Sequence, residues 1–162
     1  MENPWGNIWK AIGGLNIYGT GTSGSGMPYI CKNYNYTPNA VGENYEEVGF
    51  ILPSSGEWIS AFGYGEEKYD WVLLPAECSN TANSAAPVGD GIWYTPGLNG
   101  INVAFCGGNG VFGLKDGHFT YAFDKNINEA GNAFGARLMF IPQKNNIYSA
   151  NISKWEAKME EE

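Results

Sequence analysis

A period of two residues runs through the last third of this sequence and sharply narrows the choice of fold. Apolar side chains occupy every second position over residues 101–106, 118–124 and 136–141. Successive side chains of a β-strand point to opposite faces, so this period predicts strands with one buried face. From Gly91 onward the pattern predicts all-β structure.

The 118–124 segment makes the most specific prediction about function. Its odd-numbered members are all aromatic and are expected to face the core. The even-numbered members, which are expected to face outward, are His118, Thr120, Ala122 and Asp124. These four side chains share no chemical character, which indicates that the fold makes few demands on their face. The face is therefore predicted to be free for ligand binding.

Two short helices are predicted before this region, and a third after it. Asn3 can cap a helix and Pro4 suits its first position, with apolar residues at helical spacing up to Ile12. Gly13 and Gly14 would then end the helix. Ser54 and Glu57 have the spacing of a capping box, which predicts a helix over residues 57–62. The tail from Asn151 is also typical of a helix.

The polar segments between these elements are predicted to be loops. A flexible loop is expected over residues 20–26, and a long polar loop over residues 76–91. In a compact domain a loop of the second kind usually indicates function. Val111 and Phe112 lie between glycines, and two interpretations of this apolar pair stay open: an exposed anchor for a partner, or side chains that fold back into the core.

Composition excludes several classes of function. The 162 residues suit one compact domain, and 43% hydrophobic content is enough for a core. The net charge of −8 argues against nucleic acid and against anionic membranes. No stretch is long enough for a transmembrane helix, and the start lacks the pattern of a signal peptide. Only 16% of residues are charged, so Asn, Ser, Thr, Tyr and Gly are expected to cover the surface, as in antibody paratopes.

Enzymatic chemistry is not predicted. Cys31, Cys78 and Cys106 are widely spaced and are interpreted as free thiols rather than a disulfide framework or a zinc site. His118 has no recognisable nucleophile motif beside it and is expected to be a surface residue. The Gly-rich segment TGTSGSG lacks the lysine of a phosphate-binding loop. Carboxylates that could form a glycosidase pair, none in a diagnostic context, are Glu57, Glu66, Glu67, Asp70, Asp90 and Asp124. No cofactor and no metal ion is expected.

Several runs of sequence resemble one known family. They are NPWGNIWK, LPSSGEWISAFGYGEEKYDWVLLP, APVGDGIWY, GINVAFCGGNG and FGARLMFIP. In this order they are similar to phage tail or virion proteins that end in a C-type-lectin-like domain of the formylglycine-generating-enzyme type. These include the variable proteins targeted by diversity-generating retroelements. The resemblance extends up to Pro142, and the remaining tail departs from it.

The resemblance implies a ligand-binding face on the last strands and loops. Arg137 and the neighbouring glycines would belong to the scaffold. The cysteine pair that an oxidase of this fold family uses near its end is missing, since no cysteine follows Cys106. The positions implied to contact ligand are Asn102, Asn109, Val111, Phe112, Lys115, Thr120, Ala122, Asp124, Asn126 and Asn128.

These observations predict an α+β, C-type-lectin-like fold: two short helices with a small twisted antiparallel sheet and long loops. Residues 1–142 would form the ligand-binding domain and residues 143–162 a helical extension. The expected function is non-enzymatic adhesion by a phage tail, within the virion, to a bacterial surface protein or glycan, with a homotrimer favoured by analogy.

Two other functions stay open. A structural tail or virion subunit would use the same face for packing, and a carbohydrate-active enzyme would need two facing carboxylates. A flat apolar patch around Val111 and Phe112 would favour packing, whereas a shallow polar-aromatic depression would favour ligand capture.

Overall fold

The computed structural model describes residues 8–21, 26–33, 36–37, 40–65, 69–81, 90–126, 128 and 131–135. Within these residues 49% lie in strands and only 4% are helical, the latter in 3-10 turns such as that at Gly113–Lys115. The strands in chain order are β1 (Trp9–Thr20), β2 (Met27–Cys31), β3 (Tyr45–Glu47), β4 (Trp58–Tyr64), β5 (Leu73–Ser79), β6 (Ile92–Trp93), β7 (Asn99–Cys106), β8 (Tyr121–Lys125) and β9 (Phe134–Gly135).

Seven strands form one mixed sheet. Its order is β3-β2-β1-β7-β8-β6, and β9 pairs with the start of β1. The β1–β2, β2–β3, β1–β7 and β7–β8 pairs are antiparallel, whereas β6 runs parallel to β8 and β9 parallel to β1. The antiparallel hairpin β4–β5 forms a second sheet, joined to the first by a bridge between Trp58 and Gly91.

The prediction of an α+β, C-type-lectin-like fold with two helices is wrong for the described chain. From Trp9 onward, the predicted first helix is the opening of β1. Gly13 and Gly14 do not end this element. They lie where β1 slips in register against β7, between Ala11 and Asn16, and Gly14 has a φ of +84°. Glycine permits such an irregularity inside a strand, so the pair marks a β-bulge rather than a helix end.

The predicted second helix is also a strand. Residues 57–62 fall largely in β4, where Ile59 pairs with Cys78 and Tyr64 with Leu73. The sequence WISAFGY is rich in aromatic and β-branched side chains, which favour a pleated surface. Pairing with β5 therefore outweighs the capping-box spacing of Ser54 and Glu57. Residues 76–79 of the predicted long loop belong to β5 as well.

The predicted boundary at residue 142, the strand over residues 136–141 and the helical extension lie outside the described residues. The strand predicted at residues 101–106 is confirmed in β7, and that predicted at residues 118–124 is confirmed only from Tyr121 onward, in β8.

The main sheet is covered on both faces. The larger core contains Ile17, Val48, Ile59, Phe123 and their neighbours. A second, smaller core lies on the opposite face, where Trp9, Val103, Phe105 and Ala122 are buried. Trp93, Phe112 and Phe134 pack over it. Both faces of the central strands are therefore apolar environments, and the alternation in β7 and β8 separates two cores rather than a core from solvent.

Candidate functional site

The prediction that the even-numbered residues of 118–124 form an outward face is wrong at its centre. Thr120 is 0% exposed and Ala122 1% exposed. Ala122 belongs to the second core, because its partner across β7–β8 is Phe105. Phe119, which was expected in the core, is 44% exposed and packs edge-on against Phe62 at 5.4 Å. Only Phe123, and in part Tyr121, occupy the main core as predicted.

Thr120 organises the loop that precedes β8. Its hydroxyl donates a hydrogen bond to the Lys115 carbonyl at 2.6 Å and accepts one from the Gly117 amide at 2.8 Å. The same Lys115 carbonyl accepts a second bond from the Gly91 amide at 2.9 Å. Buried hydroxyl groups need such partners. Thr120 therefore serves the scaffold, and its side chain lies out of reach of a ligand in this conformation.

Two carboxylates hold the rest of this loop. Asp116 Oδ1 accepts a hydrogen bond from the Asn109 amide at 3.2 Å, and Asp90 Oδ2 accepts one from the Phe119 amide at 2.7 Å. Burial raises the pKa of Asp116, and the neighbouring charge of Asp90 raises it further, while hydrogen bonds from the Asn109 and Phe112 amides oppose the shift. We call residues 109–117 the anchored loop, since hydrogen bonds to backbone groups fix it along its length.

The anchored loop divides its apolar residues between core and solvent. Phe112 packs at 4.4 Å from Trp93 and 6.2 Å from Trp9, measured between ring centroids. Val111 and Leu114 point away and are 82% and 90% exposed. The two open interpretations of the Val111 and Phe112 pair are thus each right for one residue. Phe112 is a packing residue and Val111 an exposed one.

A shallow depression lies beside the anchored loop. It has a volume of about 220 Å³, and we call it the Trp93 depression. The residues that line it are Gly56, Glu57, Ile92, Trp93, Tyr94, Pro96 and Lys115. These residues come from three separate stretches of chain. The bridge between Trp58 and Gly91 and the parallel pairing of β6 with β8 bring the three stretches together.

An ion pair forms one side of the Trp93 depression. Lys115 Nζ contacts Glu57 Oε2, and it also lies 5.4 Å from the Trp58 ring centroid and 6.0 Å from that of Trp93. Cation–π contacts of this kind hold the ammonium group over the indoles. The Glu57 side chain stays 64% exposed, so its carboxylate remains open to a ligand. Burial raises the pKa of Tyr94, and Cys78 and Glu57 add to the shift, so its hydroxyl remains a neutral donor.

The other predicted contact residues are scattered. Asn102 is buried and donates a hydrogen bond to the Phe123 carbonyl at 2.8 Å, and Asn109 is buried with its side-chain oxygen on the Val111 amide. Asp124 is partly buried and pairs with Lys125 at 2.7 Å. Asn126 and Asn128 are exposed. Of the ten predicted positions, only Lys115 lines the Trp93 depression.

Sequence reasoning missed the aromatic wall and Leu114. Ile92, Trp93 and Tyr94 are absent from the predicted contact positions, although a Trp-Tyr pair followed by Thr-Pro-Gly is an available signal of an aromatic surface next to a turn. Glu57 was noted as a carboxylate, but its partner Lys115 is 58 positions away. No local sequence pattern predicts a pairing between residues so far apart in the chain.

The described residues contain no group of three or more side chains suited to hold a metal ion. No helix in this part of the chain is long and apolar enough to span a membrane. The three cysteines are free thiols, as predicted. Burial raises the pKa of the Cys78 thiol to about 11 and also raises that of Cys106. Such thiols are poor nucleophiles at neutral pH.

Comparison of the chain with protein-family models, with curated proteins and with solved structures finds no match. The resemblance to phage tail and virion proteins therefore stays a prediction made from the sequence alone.

Proposed function

We propose that this chain is a non-enzymatic ligand-binding domain that recognises a protein or glycan on a bacterial surface, as part of a phage tail or related virion protein. The observation that carries the proposal is the Trp93 depression, which is shallow and combines aromatic rings with an ion pair. Binding sites typically place a few polar groups on a mainly apolar wall. Modest affinity at one such site would be multiplied by avidity in a symmetric tail, for which a homotrimer is the expected arrangement.

The residues around the Trp93 depression are held in place, which favours a role in ligand recognition. Trp93 is packed on the side of the second core by Trp9 and Phe112. The backbone of Lys115 is held by Thr120 and Gly91. A preorganised site avoids much of the ordering cost that a flexible surface would incur on binding.

The carboxylates near the site favour a role in the scaffold over catalysis. Asp90 and Asp116, the pair whose charges interact, each accept a backbone hydrogen bond that fixes the loop. Glu57 is engaged by Lys115. A glycosidase needs one carboxyl as acid and a second as base or nucleophile across an open cleft. The arrangement of these three carboxylates does not favour that reaction.

A structural role in the virion is the second candidate, favoured by the exposure of Val111 and Leu114. Two large aliphatic side chains that are 82% and 90% exposed on a fixed loop are typical anchors for protein packing. The two candidates use different residues of the same region, so substitutions can separate them.

Cell binding by a fluorescent fusion of the full chain tests the proposal, with a panel of gut bacteria as targets. The double variant Glu57→Gln with Lys115→Met keeps the net charge within the depression at zero and removes both charged groups. Its matched control is Glu43→Gln with Lys32→Met, the same change at two exposed residues outside the depression. We expect the first pair to reduce binding at least tenfold and the second to leave it unchanged.

The opposite pattern would transfer the function to the aliphatic pair. If Val111→Ser with Leu114→Ser abolishes attachment while the Glu57 and Lys115 variant binds normally, the depression is not the recognition site. If no strain binds the fusion, and the Val111 and Leu114 variant instead fails to assemble with other virion components, the structural role replaces the proposal.

A further inference from the structure

We infer that the Trp93 depression binds one uncharged sugar ring of a surface glycan; this inference deepens the proposed function and rests on it. The inference depends on the size of the depression, on its charge balance and on the fixed aromatic wall.

The size of the depression favours a single ring. Its 220 Å³ corresponds to about seven water molecules at ~30 Å³ each. Sites for drug-sized ligands usually enclose about 300–1,000 Å³, and this depression is smaller. A pyranose ring with its hydroxyl groups is a compact ligand that suits the volume.

The charges of the lining cancel. Lys115 and Glu57 pair with one another, and the Tyr94 hydroxyl is neutral, since burial raises its pKa further above the ordinary value of 10. A charged ligand would therefore meet no uncompensated partner. A hydroxyl group, by contrast, can accept a hydrogen bond from an ammonium group and donate one to a carboxylate. Lys115 has three donors and Glu57 two acceptor oxygens, so both retain capacity for ligand hydroxyls after pairing.

The apolar part of the lining suits the apolar face of a sugar. Trp93 and Pro96 provide it, and the Lys115 ammonium lies 6.0 Å from the Trp93 ring centroid, so hydrogen-bond donors and aromatic surface are adjacent. The faces of aromatic rings are negative and attract the weakly positive C–H groups of a sugar face. Trp93 is fixed from behind, at 5.4 Å from Trp9 and 4.4 Å from Phe112.

Gly91 supports this arrangement, because it leaves room for the side chains of Lys115 and Trp93. A Cβ atom at that position would lie 2.9 Å from Lys115 Cβ and 2.9 Å from the Trp93 ring. Real Cβ atoms do not approach so closely, so any larger residue would push the ammonium side and the indole side apart.

The test is a chemical-shift titration of the full-length chain, followed at the Trp93 indole N–H and the Tyr94 amide. The neutral probes are the methyl glycosides of glucose, galactose, mannose and rhamnose, and N-acetylglucosamine. The charged probes are glucuronic acid, N-acetylneuraminic acid and glucosamine. We expect at least one neutral sugar to saturate with a Kd of about 1–10 mM and the charged sugars to bind at least tenfold more weakly.

Two single variants give a readout that a purely structural role would not produce. Lys115→Met removes the hydrogen-bond donors of the ammonium group and should weaken binding of the neutral sugar at least tenfold. Glu57→Gln leaves the ammonium uncompensated, so glucuronic acid should then bind as well as the neutral sugar or better. Lys32→Met is the matched control and should change neither titration.

Failure of this inference can be told apart from failure of the proposed function. The sugar inference is overturned if the Trp93 indole signal does not shift even at neutral-sugar concentrations above roughly 10 mM, while cell attachment still requires Glu57 and Lys115. The proposal of a ligand-binding domain then stands. A charged sugar as the best ligand of the unsubstituted chain would overturn it equally. If cell attachment is unchanged when Glu57 and Lys115 are replaced, both proposals are overturned.

Discussion

Replacement of Thr120 by valine probes the account of the anchored loop most directly. Valine has nearly the shape of threonine but lacks the hydroxyl that bonds the Lys115 carbonyl and the Gly117 amide. The carbonyl keeps its bond from the Gly91 amide, so only the Gly117 N–H loses its partner. Two lost hydrogen bonds at about 1 kcal/mol each, with a reduced penalty for a half-buried N–H, predict about 2–3 kcal/mol of lost stability.

Urea unfolding of Thr120→Val and Thr120→Ser measures this loss. Serine keeps the hydroxyl and loses one methyl group, which should cost only about 1 kcal/mol. With an m-value of about 2 kcal/mol/M, the valine variant should unfold at a midpoint at least about 1 M lower than the unsubstituted chain. The reasoning is refuted if valine is tolerated within about 0.5 kcal/mol, or if serine is as harmful as valine. Tolerance would restore Thr120 as a position free to vary.

Three further outcomes are expected. Phe112→Ala should cost about 2–3 kcal/mol in urea unfolding because Phe112 covers Trp9 and Trp93, whereas Val111→Ala should stay within about 0.5 kcal/mol; equal costs would contradict the division of the pair. Since the pKa of Asp116 is raised in the folded chain, its contribution to stability is present below the unfolded value of 3.8 and is lost as pH rises through the raised pKa. Asp116→Asn should therefore be the more stable form at neutral pH, with the gap in urea midpoints closing near pH 3, and a gap that widens in acid would reverse this sign. At pH 8 a Cys78 pKa of about 11 leaves about 0.1% of the thiol as thiolate. Iodoacetamide should therefore modify Cys78 about a hundredfold more slowly in the native chain than in the unfolded chain, as mass spectrometry of the peptide would show. Similar rates in the two states would contradict the raised pKa and its origin in burial.

Strand positions could be predicted from the sequence where the two-residue period was clear. The period placed residues 101–106 in a strand, and β7 occupies them. It also assigned Phe105 and Cys106 to opposite faces correctly. It could not show that the second face is covered, because the covering side chains Trp9, Trp93 and Phe112 come from distant segments. Alternation tells which side chains lie opposite each other and leaves open what lies beyond them.

Helix predictions failed for a different reason. The helical spacing up to Ile12 rests on a few apolar residues, and the two glycines after it match the pattern of a helix end. The same residues are also compatible with a bulged strand, and in the folded chain β7 and β2 are its pairing partners. Local preference is weak compared with the hydrogen bonds of a neighbouring strand. The candidate site was unpredictable on similar grounds, because Glu57, Trp93 and Lys115 meet only through tertiary pairing.

Lys115 combines a fixed main chain with a replaceable side chain. Its carbonyl is bonded twice, by Thr120 and Gly91, and neither bond involves the ammonium group. Any residue that tolerates the 3-10 turn could stand there without altering the path of the loop. Val111 and Leu114 have the same property, since their side chains support nothing beneath them. Side chains at these three positions can therefore be exchanged at almost no cost to folding.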